Sequence, residues 1–128
     1  CAKVGIDFVL IAPSELWPMR SLVRTCQEYA DASGSTITIS DNTNDVEGAD
    51  IIYTDVWISM GEEEKTDDRK LMEKTQKDTT IFMHCLPAVK GYEVTEDVFE
   101  SPASVVIDEA ENRLHTIKAV MVATLGEE

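Results

Sequence analysis

The chain has 128 residues and a mass of 14.2 kDa, which suits one domain and leaves no room for two full-sized ones. Eleven Lys and Arg stand against 25 Asp and Glu, a formal charge of −14, which argues against the basic footprint that nucleic acid or an anionic membrane surface demands and suits a cationic or polar small molecule. Cys1, Cys26 and Cys85 form no disulfide framework and fit a reducing, cytoplasmic setting; the apolar run Phe8 to Ala12 is far too short for a membrane span, and no signal or transit peptide is visible.

In chain order, Ile6 to Ala12 is a β-branched apolar run stopped by Pro13, as expected of a strand buried on both faces. Pro18 then suits the first position of a helix whose apolar side is Met19, Leu22, Val23, Cys26 and Tyr29/Ala30, closed by Gly34 in a left-handed cap. Thr36 to Ile39 alternates like a second strand, and Ala49 to Thr54 is a third, reached through the polar stretch Asp41 to Gly48. Gly61 to Lys70 holds no apolar residue and cannot bury a helical face, so it reads as a loop or a marginal surface helix, with Leu71 to Gln76 as the tail of a helix. Thr80 to His84 is a fourth strand before Pro87, and Ser104 to Ile107 a fifth. Asp108 and Glu111 have capping-box spacing and predict the start of a last helix, lined on one side by Leu114, Ile117, Met121 and Leu125. Short buried strands alternating with helical patterns predict an α/β fold, a doubly wound and mostly parallel sheet with helices on both faces.

Ligands of such sheets bind beyond the carboxyl ends of the strands. Three of those ends carry unusual residues: Asp55 to Gly61, His84 to Pro87, and Glu111 to Arg113. Arg113, about one turn into the expected last helix, sits where the helix dipole disfavours a cation; either it serves a ligand or Asp108, Glu109 or Glu111 neutralises it as a surface pair. Cys85 reads as a small buried hydrophobe or a site thiol; a dyad with His84 is disfavoured because successive strand residues point to opposite faces. Asp55 could cap a turn or hold an ammonium group, and Trp17-Pro18 is most simply helix-entry packing. The cysteines and histidines lack zinc-site spacing, and no dinucleotide fingerprint follows any strand.

Taken in order, Tyr53-Thr54-Asp55-Val56-Trp57-Ile58-Ser59-Met60-Gly61, Phe82-Met83-His84-Cys85-Leu86-Pro87 and Glu109-Ala110-Glu111-Asn112-Arg113-Leu114-His115 resemble the C-terminal, ornithine-binding half of the ornithine carbamoyltransferases. Glu93-Val94-Thr95, Phe99-Glu100 and Ile117 to Val120 also fit, so the resemblance runs over essentially the whole chain. It implies transfer of a carbamoyl group from carbamoyl phosphate to the side-chain amine of L-ornithine, giving citrulline and phosphate in arginine metabolism, with no metal or organic cofactor and a homotrimer or an assembly of trimers. Asp55, Ser59 and Met60 match the loop holding the amino-acid end of ornithine; Cys85 and Leu86 match the pair at the carbamoyl group, and Arg113 the arginine on the carbamoyl oxygen. The Ser59-Met60-Gly61 loop resembles the ornithine enzymes more than their relatives using aspartate, putrescine or acetylated ornithine, and Cys85 separates the chain further from the aspartate enzyme.

There are departures. The Ser-Thr-Arg-Thr and His-Pro-x-Gln motifs of the family's N-terminal carbamoyl-phosphate domain do not occur in these residues, and the family carries about one further helical segment between the positions of Arg69 and Lys70. The resemblance therefore implies a partial ornithine-binding domain over residues 1–128 that does not turn over substrate by itself. A carbamoyltransferase for another amine, such as putrescine or a modified ornithine, and a non-catalytic amino-acid-binding module are the rival readings.

Overall fold

A computed structural model describes residues 1–56 and 80–126. The chain divides into two compact units, Cys1–Gly48 and Ala49–Glu128. The expected Gly61 to Lys70 loop and Leu71 to Gln76 helix tail lie outside the described residues.

The first unit is a right-sized β-α-β segment: strand β1 (Phe8–Ile11), helix α1 (Arg20–Ser33) and strand β2 (Ile37–Ser40), with β1 and β2 parallel in the register Phe8↔Ile37 to Ile11↔Ser40. Trp17 spans the turn before α1 by donating its indole N–H to the Ala12 carbonyl at 2.8 Å, so it does serve helix entry. Met19 keeps an extended backbone as the N-cap, and the helix starts at Arg20 rather than at Pro18. At the other end Gly34 takes φ 80°, and the Gly34 and Ser35 N–H groups both reach the Ala30 carbonyl, the left-handed closure anticipated there. Ala30 is fully buried, yet Met19, Leu22 and Tyr29 stay exposed, as do Phe8 and Val9 on β1. Within this unit the sheet has only two strands and one long helix beside it, and with Phe8 and Val9 exposed β1 is not buried on both faces as its composition suggested. Asp7 Oδ1 accepts from both the N–H and the hydroxyl of Thr36, each at 2.8 Å, and these bonds hold its carboxyl below the usual range.

The second unit pairs strand β3 (Ile51–Thr54) with strand β4 (Ile81–His84), again parallel, in the register Ile51↔Ile81 to Thr54↔His84. The Thr80 hydroxyl donates to the Ala49 carbonyl at 2.9 Å and pins the start of this pair. A one-turn helix α2 (Glu96–Phe99) and the long helix α3 (Val106–Leu125) follow. The core is Phe82, Val94 and Val106, with Ile52, Ala88, Val98 and Phe99 packed against it. Lys90 crosses α2, pairing with Glu96 and Glu100 and lying 5.0 Å from the Phe99 ring centroid.

The expected fifth strand is reduced to a single parallel bridge, Phe82↔Ser104. Phe82 donates to the Ala103 carbonyl and accepts from the Val105 N–H, each at 2.9 Å, after which Glu109 N–H already bonds Val105 O and the chain is helical. Val106 and Ile107 thus belong to α3. Its N-cap is Val105, without a side-chain cap, and Asp108 and Glu109 occupy the first turn; the Asp108/Glu111 spacing is not a capping box. Leu114, Ile117, Met121 and Leu125 are all exposed. Among the described residues no helix is long and apolar enough to cross a membrane. The α/β class with parallel strands is the architecture observed in both units.

Phe82 is 3% exposed and joins β4 to Val94 and Val106. Phe82→Ala is expected to cost about 3–5 kcal/mol, read as a lowered urea midpoint with an unchanged slope; a loss below about 1 kcal/mol contradicts this core assignment.

Candidate functional site at the carboxyl ends of β3 and β4

Both strands of the second unit end on chemistry. Because Thr54 is paired with His84 in a parallel ladder, the next residues, Asp55 and Cys85, leave neighbouring strands side by side and on the same face. The Cys85 thiol donates to Asp55 Oδ1 at 2.9 Å, and the Val56 N–H donates to the same oxygen at 2.7 Å. Those two bonds lower the Asp55 carboxyl from its ordinary value, the thiol contributing most. The reciprocal effect raises the Cys85 thiol: the bond to Asp55 comes first, then desolvation, then repulsion between a thiolate and the carboxylate. This pair is therefore an anion beside a protonated thiol.

Tyr53 lies two residues before Asp55 and shares its face of β3. Its hydroxyl is pushed above the ordinary phenol range by desolvation first, then by a bond to and the charge of Glu109, with Cys85 contributing further. Glu109, in the first turn of α3, also accepts the His84 N–H through Oε2 at 3.1 Å. One carboxylate thereby ties the first turn of α3 to the last residue of β4. Sequence reasoning gave Tyr53 and Glu109 no site role; the two-residue spacing of Tyr53 from Asp55 was the available signal.

His84 points away from this cluster, as strand alternation required. It is fully buried, and its Nδ1 accepts the Leu86 N–H at 2.9 Å. Its Nε2 faces Glu93 Oε1 at 3.6 Å and has no hydrogen-bond partner among the described residues. Glu93 is 4% exposed, and the same Oε1 accepts the Val89 N–H at 2.5 Å. Leu86 adopts φ 50°, the one non-glycine residue at positive φ among those described, and the Leu86–Pro87 peptide is cis. A left-handed conformation in a residue with a Cβ costs roughly 1–2 kcal/mol, and such strain persists where the surroundings enforce it.

Arg113 lies one turn beyond Glu109 on the same side of α3, at four-residue spacing. Its side chain is exposed and takes no partner among the described residues, while Glu111 pairs with His115 at 3.6 Å and Glu109 is engaged by the His84 N–H. Since α3 starts at Val106, Arg113 is about two turns in rather than one, beyond the first turn where the helix dipole acts strongly. The structure thus brings Asp55 and Cys85 into contact with Leu86 next along the chain, and puts Arg113 on the helix anchored there through Glu109. Ser59 and Met60 lie outside the described residues. Among the described residues no cluster of three or more His, Cys, Asp or Glu could hold a metal ion.

The model of the aspartate/ornithine carbamoyltransferase Asp/Orn-binding domain matches residues 1–124. The ornithine carbamoyltransferase of Pseudothermotoga lettingae is 53% identical over 137 aligned positions, covering 98% of this chain and 44% of that protein. That of Caldanaerobacter subterraneus subsp. tengcongensis is 49% identical with the same coverage. The solved ornithine carbamoyltransferase from Pyrococcus furiosus superposes with a TM-score of 0.86 at 40% identity, covering 99% of this chain and 44% of that one. The chain thus spans less than half the length of the relatives it matches. An alignment of 137 positions against a chain of 128 also leaves relatives with residues that have no counterpart here.

The Asp55 carboxylate should keep Cys85 protonated. Alkylation by iodoacetamide at pH 8, followed by peptide mass spectrometry, is expected to be slower at Cys85 than at exposed Cys1, since only the thiolate reacts and Asp55 holds the Cys85 thiol protonated. Asp55→Asn should speed the reaction at Cys85 and leave Cys1 unchanged; an unaltered Cys85 rate refutes the coupling.

Proposed function

This chain belongs to the aspartate/ornithine carbamoyltransferase family, in the Asp/Orn-binding domain, and from that premise we propose that it forms the amino-acid side of an ornithine carbamoyltransferase. The full-length protein carrying it would join carbamoyl phosphate to L-ornithine, yielding citrulline and phosphate. The observation that carries this reading is the Asp55–Cys85 contact: an anion and a neutral thiol, side by side at the carboxyl ends of adjacent parallel strands.

Ornithine offers a cationic α-amine and a side-chain amine that must lose its proton, since an ammonium has no lone pair with which to attack. Asp55 remains ionised below the ordinary carboxylate range and exposes its side chain, so it can accept the α-ammonium on the oxygen that Cys85 and Val56 leave free. Net charge of −14 favours approach of such a cation. Cys85, held as a thiol, is a poor nucleophile, which supports direct attack by the amine without a covalent enzyme intermediate. The thiol instead orients the neutral amine.

In the reaction the amine lone pair forms the new bond to the carbamoyl carbon, the bond to the bridging phosphate oxygen breaks with its electron pair leaving on phosphate, and the amine's proton passes to the departing phosphate. The carbamoyl NH2 needs acceptors, a role suited to the backbone carbonyls of Cys85 and Leu86. The carbamoyl oxygen gathers negative charge, for which Arg113 offers a cation on α3 with no partner among the described residues. Ser59 and Met60 would close the amino-acid end of the site, as the family likeness implies.

Citrulline formation by the full-length protein, measured with ornithine, acetylornithine, putrescine and aspartate in turn, tests the substrate; preference for any amine but ornithine overturns the reading. Asp55→Asn should raise the ornithine KM and leave the carbamoyl phosphate dissociation constant unchanged, and equal losses for both substrates would contradict its place at the ammonium. Arg113→Ala is expected to lower kcat by about 100- to 1,000-fold, the usual cost of one oxyanion donor; an unchanged kcat removes Arg113 from that role.

A further inference from the structure

We infer that His84 and Glu93, neither of which meets the proposed substrates, are positioning residues that aim the Cys85 carbonyl at the reacting carbamoyl group. The inference rests on the carbamoyltransferase reading, but its geometry stands independently. His84 Nδ1 accepts the N–H of Leu86 at 2.9 Å. That N–H and the Cys85 carbonyl belong to one peptide unit, which is trans because the cis bond lies one residue later. In a planar trans peptide the N–H and the C=O point in opposite directions. Drawing the N–H inward to a fully buried imidazole therefore turns the Cys85 carbonyl away from the core, toward the strand-end face where Cys85 meets Asp55.

The imidazole can do this in one form only. An Nδ1 that accepts carries no proton, so the proton sits on Nε2. Nε2 faces Glu93 Oε1 at 3.6 Å, in surroundings where His84 is 0% and Glu93 4% exposed. A buried carboxylate there favours the tautomer with its N–H toward it, and Glu93 is itself held by the Val89 N–H. A ring flipped to the Nδ1–H tautomer would oppose two donors, Nδ1–H and the Leu86 N–H, and would release the peptide. The left-handed Leu86 backbone, otherwise strained, is kept by this same bond.

The test uses the full-length protein. His84→Asn puts an amide oxygen near the position of Nδ1, whereas His84→Leu fills similar space with no acceptor. His84→Leu is expected to lower kcat by about 10- to 100-fold, as for a buried donor left unpaired, while the ornithine KM moves by less than about threefold. His84→Asn should recover most of kcat. An asparagine variant as poor as the leucine one, or a leucine variant with wild-type kcat, overturns the inference. Should His84→Leu fail to fold, nitrogen-15 imidazole spectra of the wild-type protein decide: a protonated Nε2 and bare Nδ1 support it, and a protonated Nδ1 sinks it. A protein that forms no citrulline yet shows the Nε2–H tautomer refutes the carbamoyltransferase reading and leaves the peptide geometry standing.

Discussion

Parallel pairing of β3 with β4 in the register Thr54↔His84 is the constraint from which the candidate site follows. Neighbouring strands lie about 4.8 Å apart, and paired residues present their side chains to the same face. Advancing one residue past the last pair puts Asp55 beside Cys85, within reach of a short thiol-to-carboxylate bond. A slip of one residue would set Cys85 against Thr54 and send His84 toward solvent. The register is secured at both ends: the Thr80 hydroxyl grips Ala49 O, and Glu109 takes the His84 N–H. Phe82, between them, is bonded on its other edge to Ala103 and Val105.

That register divides labour between adjacent residues. His84 goes into the core with Glu93, while Cys85 stays half-buried on the opposite face with Asp55. The electrostatics follow the same division. A carboxylate next to a thiol on the outer face keeps the thiol neutral and the carboxylate charged. On the inner face a carboxylate opposite an imidazole settles where the ring proton sits. On the outer face the result is a charged carboxylate beside a protonated thiol, the pairing on which the proposed hold on an ammonium group rests.

Strand ends and the αL stop of α1 were legible because their signals are local: β-branched runs halted by proline, and a glycine after the last turn. The start of α3 was not. Ser104-Val105-Val106-Ile107 has strand composition, and Asp108 with Glu111 has the spacing of a cap, but pairing with Phe82 ends after one residue and the helix absorbs Val106 and Ile107. Tertiary competition for the Phe82 backbone decides that boundary, and no local pattern encodes it. Asp55, Cys85 and Arg113 stood out at strand ends and near a helix start, Leu86 came only through the family likeness, and alternation correctly separated His84 from Cys85. Glu93 was missed as a buried group because it sits nine residues past His84 in a segment of turns, where neither periodicity nor charge pattern distinguishes an inward carboxylate from a solvated one.

Glu109 links these two accounts of the chain. An acidic residue in the first turn of a helix is ordinarily explained by the dipole alone. Here it also accepts a strand N–H, so the N-terminal end of α3 is fastened to β4, and its charge helps raise the Tyr53 hydroxyl of β3 above the ordinary phenol range. Arg113 follows one turn further along the same side of α3. Glu109 uses one oxygen on the His84 N–H, and among the described residues the Arg113 guanidinium has no partner, so under the proposed function it is available to charge that develops only during the reaction.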